Sequence, residues 1–400
     1  MITASPSVAL DIGHPRLSLI QGITLKRNSP MAKHLVLVGG GHAHMMTLAN
    51  INAFVAKGHR VTVIGPSEHH YYSGMGPGML GGTYSPSDIR FATKHVVEKQ
   101  GGVFVLGKAV RVRSEERQIE LESGETVCYD VVSFNAGSDV PRLNLSEYTE
   151  NIYPVKPIER LMDAQARIKE LASQRSITIG IIGGGPSSVE IAGNIWQLTS
   201  GYGENQPRVK IFAGSRLMAK YPEGVRARIE KSLKSHGVEI YTNGFVQTIE
   251  PDGIILASGE RYDLDFIFLA IGVRPNAIFE RSGIPTGPDG GMLVNSFLQS
   301  TAHPEMFGGG DCIYFQDHPL DKVGVYAVRQ NPVLYNNLMA ALEGEPLQVF
   351  SPGGDYLLIF NMGGGKGVLR KKWLTFDGRI AFIVKDYIDR KFIKKFQAIE

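Results

Sequence analysis

Short branched apolar runs that stop on glycines alternate along this chain with stretches of helical spacing. The first clear case is Leu35-Val36-Leu37-Val38-Gly39-Gly40-Gly41, which passes through His42-Ala43-His44 into a helix-compatible stretch ending near Lys57. Such a run predicts a buried strand, and the glycines at its end predict a tight turn into a helix. A second strand is expected over Arg60-Val61-Thr62-Val63-Ile64. The pattern returns at Ile179-Gly180-Ile181-Ile182-Gly183-Gly184-Gly185-Pro186-Ser187-Ser188.

The repetition extends beyond the glycines. Leu121-Glu122-Ser123-Gly124-Glu125 and Tyr129-Asp130 are echoed by Leu256-Ala257-Ser258-Gly259-Glu260 and Tyr262-Asp263. An apolar strand follows each, ending on Ala136-Gly137 in the first case and on Ala270-Ile271-Gly272 in the second. Two copies of one unit, with parts in the same order, are implied. Between them Tyr153-Pro154-Val155-Lys156-Pro157-Ile158 reads as an extended interdomain crossing, because a proline disfavours helix in the residue before it. A helix is then expected over 159–172.

The stretch 69–82, His69-His70-Tyr71-Tyr72-Ser73-Gly74-Met75-Gly76-Pro77-Gly78-Met79-Leu80-Gly81-Gly82, carries too much glycine and aromatic for a regular element, so an irregular loop is expected. Met306-Phe307-Gly308-Gly309-Gly310-Asp311-Cys312 is another strand-to-glycine turn, followed by a helix expected over 325–342. Asp311 there either accepts hydrogen bonds from a sugar-like chain or caps a helix. The last fifty residues change character. Apolar runs at 356–360, 373–376 and 380–384 predict a small antiparallel sheet, and 386–400 a basic helix with Ile388, Phe392 and Phe396 on one face. That face suits either a membrane surface or the body of the protein.

Composition narrows the function. Four hundred residues favour two or three domains, and 43% hydrophobic content is ordinary for a globular chain. A net charge of +3 without aromatic-basic interleaving gives no reason to expect a nucleic-acid partner. Two cysteines, Cys128 and Cys312, without close spacing argue against a disulfide framework or zinc site, and no metal is expected. No apolar run approaches about 18 residues, so no transmembrane helix is expected. The first thirty residues are read as an extension, disordered or preceding a natural start at Met31, and are left out of the fold. A cytoplasmic location goes with this, peripheral on the membrane if 386–400 meets lipid.

The chemistry lies in the turns. Gly39 allows the bend, Gly41 lets backbone approach a pyrophosphate, and the next helix directs its positive N-terminus there. Two such turns imply two nucleotides and electron transfer between them. The acid that usually holds the adenosine ribose after the second strand is replaced by Gly65, with Ser67 and Glu68 beyond, and His44 replaces the third glycine. Lys156 is either a cation near a cofactor or a solvated hinge residue.

With these residues, Gly310-Asp311 and Val328-Arg329-Gln330, the chain resembles the FAD-dependent pyridine nucleotide-disulfide oxidoreductase superfamily over about 33–345. It is most similar to the type II NADH dehydrogenase branch and to the flavoprotein domain found fused to selenide, water dikinase. The resemblance implies an α/β fold of two Rossmann-like dinucleotide-binding domains plus a small C-terminal α+β domain. The FAD domain would be discontinuous, 31–150 and 285–350, with an NAD(P) domain at 151–284 and the small domain at 351–400. It implies that Gly39, Gly41, His42, Ala43, Ser67, Ala136, Gly137, Gly310, Asp311 and Gln330 surround FAD. Gly183, Gly185, Ser188, Glu190 and Gly272 would line the nicotinamide side, with Glu190 and Lys156 tuning the flavin or guiding protons.

The expected activity is oxidation of NAD(P)H through FAD, with electrons passing to a quinone or other small acceptor without a redox disulfide. Three departures stand out. The acid that would select NADH after Val209-Lys210-Ile211-Phe212 is replaced by Ala213-Gly214, with Arg216 near; Val325 stands where the dehydrogenases often carry a glutamine; and no relay cysteine occupies Ser73-Gly74-Met75-Gly76. The missing acid motivates the alternative, a flavin-binding partner protein of a multi-protein, selenium-related pathway with a vestigial nicotinamide domain.

Overall fold

A computed structural model describes residues 32–141 and 150–400; the expectation for 1–30 falls outside them. Branched apolar residues build two five-stranded parallel sheets. In the first, His34–Val38 is central, flanked by Arg60–Gly65 and Val131–Phe134, with Val103–Leu106 and Met306–Gly308 at the edges. Leu35, Val36 and Leu37 are fully buried there. The late strand Met306–Gly308 thus joins a sheet whose other strands all precede residue 135.

The second sheet is centred on Thr178–Ile182, between Arg208–Phe212 and Phe266–Leu269, with Glu239–Tyr241 and Ile152–Pro154 outermost. Both sheets are wholly parallel, so long crossovers join their strands, through helices or, once in each, through a three-stranded antiparallel sheet, at 109–128 and at 246–263. Parallel strands release their chains at one edge, so each glycine turn opens at the carboxyl end of its central strand, where α/β sheets bind ligands. An antiparallel pair, Ser138–Asp139 with Arg274–Pro275, links the exits of the two units.

Two expectations need correcting. The segment 69–82 is not irregular: His70–Tyr71 pairs with Arg90–Phe91, and Gly76–Leu80 is a short helix. Its glycines serve packing, since a Cβ on Gly76 would lie 3.0 Å from Ile158 Cδ1 and one on Gly81 would press on Asn194. Nor do residues 380–384 form a strand. The C-terminal sheet is Leu358–Asn361, Gly367–Lys371 and Leu374–Gly378, and the terminal helix begins earlier, spanning Arg379–Gln397. Only Ala381 of that apolar run is buried, which suits one face of a helix and not a core strand.

The terminal helix is docked along one face, with Ala381, Lys385, Asp389, Ile393 and Phe396 buried. Phe392 stacks on His42 with ring centroids 5.5 Å apart and lies 5.0 Å from Tyr72, while buried Phe396 meets Phe91. Phe392 and Phe396 therefore face the protein. The exposed apolar residues lie nearer the start of the helix, at Ile380, Ile383, Tyr387 and Ile388, and Trp373 and Leu374, at the start of the preceding strand, are exposed as well.

Candidate functional site

The first glycine turn is shaped by Asn135, which follows the neighbouring strand. Gly39 has φ +89°, and a Cβ there would overlap the Asn135 carbonyl oxygen; one on Gly41 would overlap the Asn135 side-chain oxygen. The Asn135 amide donates to Gly309 O at 2.6 Å, tying this turn to the late one. His44 fits where a third glycine was expected because both ring nitrogens are engaged, with Gly39 O at 2.6 Å and Ser133 Oγ at 2.8 Å. Ala43 is fully buried, and a Cβ on Gly309 would come within 2.7 Å of its methyl.

Several buried polar atoms here lack a hydrogen-bond partner among the described residues: His42 Nε2, His70 Nε2, Thr47 Oγ1 and Thr93 Oγ1. Thr93 Oγ1 lies 3.5 Å from where a Cβ of Gly40 would stand. Leaving such groups unpaired costs roughly 1–3 kcal/mol each. Burial holds the imidazoles neutral, with pKa lowered to about 4 for His42 and about 3 for His70. A glycine cradle edged with unsatisfied donors and acceptors fits a dinucleotide phosphate and sugar.

The late turn completes this end. Gly310 N–H donates to Gln330 Oε1 at 2.7 Å, and Asp311 Oδ2 accepts from Ser138 Oγ at 2.7 Å and Lys156 Nζ at 3.0 Å. Burial alone would raise the Asp311 carboxyl, but Lys156 and Ser138 hold it below its ordinary value. Lys156 is thus an ion-paired residue of the site, not a solvated hinge. Asp311 is engaged by these side chains and makes no cap. Ala136 and Gly137, with φ +68° at the glycine, lead from Asn135 to Ser138. Ser67 lies just beyond the strand Arg60–Gly65, where its hydroxyl receives the His69 N–H at 3.2 Å.

At the second turn Gly183 has φ +128°, and a Cβ there would overlap Ala270 O. Gly185 opens onto space, and Ser188 Oγ, fully buried in the first turn of the helix Pro186–Thr199, has no partner among the described residues. Gly272, with φ +93°, borders the same opening. Glu190, one turn further, accepts the Asn361 N–H at Oε1, 2.8 Å away. Burial pushes its carboxyl up, and Lys385 and Asn361 only partly oppose that.

Residues 306–337 matter as much as the first hundred, and the comparisons agree on that span. Residues 33–337 match the pyridine nucleotide-disulphide oxidoreductase family. The chain belongs to that family.

By that membership it is an oxidoreductase. The type II NADH:quinone oxidoreductase of Staphylococcus epidermidis is 23% identical over 396 residues, covering 92% of this chain and 96% of that protein. In fold the chain is similar to the sulfide:quinone oxidoreductase of Aquifex aeolicus, with TM-score 0.76, 17% identity and 92% of each chain covered. NDH2 of Plasmodium falciparum in complex with NADH gives 0.72, at 14% identity over 90% of this chain and 98% of that one.

Unlike the disulfide enzymes that lend the family its name, this oxidoreductase has no cysteine pair. Cys128 is exposed and Cys312 is buried, its thiol pushed up to about 11 by burial. A thiol this weakly acidic is a poor nucleophile.

Sequence reasoning did not find the cluster that joins the two turns. Lys385 Nζ donates to Asp389 Oδ2 at 2.8 Å and Gly74 O at 2.9 Å, and Tyr72 OH donates to Asp389 Oδ1 at 3.0 Å. Burial raises the Asp389 carboxyl against the pull of Lys385 and Tyr72. Tyr72 also packs edge-on against His42 of the first turn, and the Lys385 charge opposes the rise of the Glu190 carboxyl on the second-turn helix. The Lys385/Asp389 spacing of four residues was a visible helical ion-pair signal.

Proposed function

We propose that this chain oxidises NAD(P)H through bound FAD and delivers the electrons to a quinone at a membrane surface. The observation that carries this is the pair of glycine turns, one per parallel sheet, each beside buried polar atoms that the described residues leave unsatisfied. FAD, held by Gly39, Gly41, His42, Asp311 and Gln330, would supply the hydride acceptor and the outlet for electrons. Gly183, Gly185 and Ser188 would seat the nicotinamide dinucleotide.

The side chains serve alignment and protons. Lys156 fixes the Asp311 carboxylate in one orientation, and Gln330 fixes the Gly310 amide. Glu190 takes up a proton more readily than an ordinary carboxyl, because burial favours the neutral acid, and its Oε1 is engaged by the Asn361 N–H. Lys385, Asp389 and Tyr72 form a hydrogen-bonded group beside it, and the Lys385 charge favours the ionised form of Glu190.

The membrane reading rests on the exposed face of Trp373, Leu374, Ile380, Ile383 and Tyr387. Trp373 is 89% exposed, Ile380 68% and Ile383 62%. Lys371, Lys372, Arg379 and Lys391 flank it, suiting anionic headgroups. Among the described residues no helix is long and apolar enough to cross a membrane.

Two measurements test the proposal. Anaerobic titration of the yellow protein with reduced nicotinamide should bleach the flavin stoichiometrically; no bleaching by NADH or NADPH would refute the dehydrogenase half-reaction. Flotation with anionic vesicles should recover the protein, and the double substitution Trp373→Glu, Ile383→Glu should cut the vesicle-bound fraction about tenfold or more. Unchanged flotation would remove this face from the proposal.

A further inference from the structure

The lip of the second sheet beyond the glycine turn differs from what an NADH ribose needs. Ala213 ends the strand Arg208–Phe212 fully buried against Gly184, where a Cβ would come within 2.8 Å of the alanine methyl. Gly214 follows, so no carboxylate stands at the strand end to receive ribose hydroxyls. Next to it Arg216 is exposed, and its carbonyl oxygen lies 3.4 Å from where a Gly184 Cβ would be. Its backbone therefore borders the phosphate turn directly.

The facing wall comes from the loop after Glu239–Tyr241. Asn243 N–H donates to Ser215 O at 3.1 Å and Gly244 N–H to Ala213 O at 2.9 Å, fixing the two loops edge to edge. Phe245 is 58% exposed, and a Cβ on Gly214 would lie 2.8 Å from its ring. An aromatic face left in solvent at a nucleotide lip can stack a base.

The charges favour an anion. Glu223 is the acid paired to Arg216, with Nη2 to Oε2 at 2.7 Å, but Arg226 Nη1 holds the same oxygen at 2.8 Å. Arg216 can turn away without stranding that carboxylate, because Arg226 remains. Lys220 is exposed on the same segment.

We propose that Gly214, Ser215, Arg216 and Phe245 form a subsite for an adenosine bearing a 2′-phosphate, so that the chain takes NADPH in preference to NADH. Arg216 contacts the phosphate, the Gly214 backbone leaves it room, and Phe245 stacks the adenine. This rests on the nicotinamide reading above.

The test uses the flavin-loaded full chain in two arms. In the first, kcat/KM for flavin reduction should favour NADPH roughly tenfold or more. Arg216→Ala should bring the NADPH:NADH ratio to about 1 or below, Arg216→Lys should keep part of it, and Gly214→Asp should invert it. Phe245→Ala should weaken both dinucleotides and leave the ratio in place. A wild-type preference for NADH, or a ratio that Arg216→Ala does not move, would overturn the subsite.

The second arm measures calorimetric binding of adenosine 2′,5′-bisphosphate against 5′-ADP. Tighter binding of the bisphosphate, lost in Arg216→Ala, is expected, and equal binding would overturn the proposal. If neither dinucleotide reduces the flavin, the dehydrogenase reading fails while this second arm still decides the subsite.

Discussion

Alanine at Gly39 should yield a protein that no longer retains flavin and is less stable by about 2–4 kcal/mol. Two costs add. The residue sits at φ +89°, where an L side chain is strained, and its Cβ would overlap the Asn135 carbonyl oxygen. That oxygen belongs to backbone placed by the parallel pairing of Val131–Phe134 with His34–Val38, so it cannot swing aside as a side-chain tip can. Any relief must open the turn, and with it the N-terminal end of His42–His44. Urea unfolding and the flavin content of the purified variant check both parts. A fully yellow Gly39→Ala protein with the wild-type midpoint would show that the turn is not as tight as described.

The flavin-free protein should also lose stability steeply as the pH falls below about 6.5. Burial, opposed only partly by the Gly39 carbonyl, lowers the His44 pKa to about 4; burial likewise takes His42 to about 4 and His70 to about 3. In the unfolded chain these imidazoles bind protons near pH 6.5, so the unfolded state holds more protons throughout the interval. Their contribution is complete above that pH and is withdrawn as the pH falls toward 4. At pH 5 each accounts for about 2 kcal/mol. The raised carboxyls of Glu190 and Asp389 act in the opposite sense, gaining protons on folding. His44→Gln isolates one imidazole: the drop between pH 7.5 and pH 5 should shrink by about 2 kcal/mol. An equal drop in both proteins would mean that His44 is not held neutral.

The two sheets and their turns were legible because buried parallel strands must be runs of branched residues and their exits must be glycine. The short helix Gly76–Leu80 was not, because its glycines signal close contact with Ile158, Leu161 and Asn361, which lie far off in the chain. Residues 380–384 misled for a related reason. Five apolar residues in a row fit a strand as well as a helix, and only the burial of Ala381, Lys385 and Asp389 at four-residue intervals distinguishes them. Most of the proposed flavin ligands were named from local motifs. Asn135 was not, since its importance comes from touching four glycines in two separate turns. Tyr72, Lys385 and Asp389 escaped because their meeting spans more than 300 residues of chain.

The terminal helix is nineteen residues long, a rod of about 28 Å. One end carries Ile380 and Ile383 outward, while the other lays Phe392 on His42 and anchors Phe396 beside Phe91. The proposed tether and the proposed cofactor wall are thus a single piece of backbone. A shortened chain made to free the enzyme from lipid by ending at Gly378 would discard Lys385, Asp389 and Phe392 together, and uncover the imidazole beside the first turn. On the proposed membrane reading, detachment has to be engineered by changing the outward side chains, because the rod itself cannot be spared.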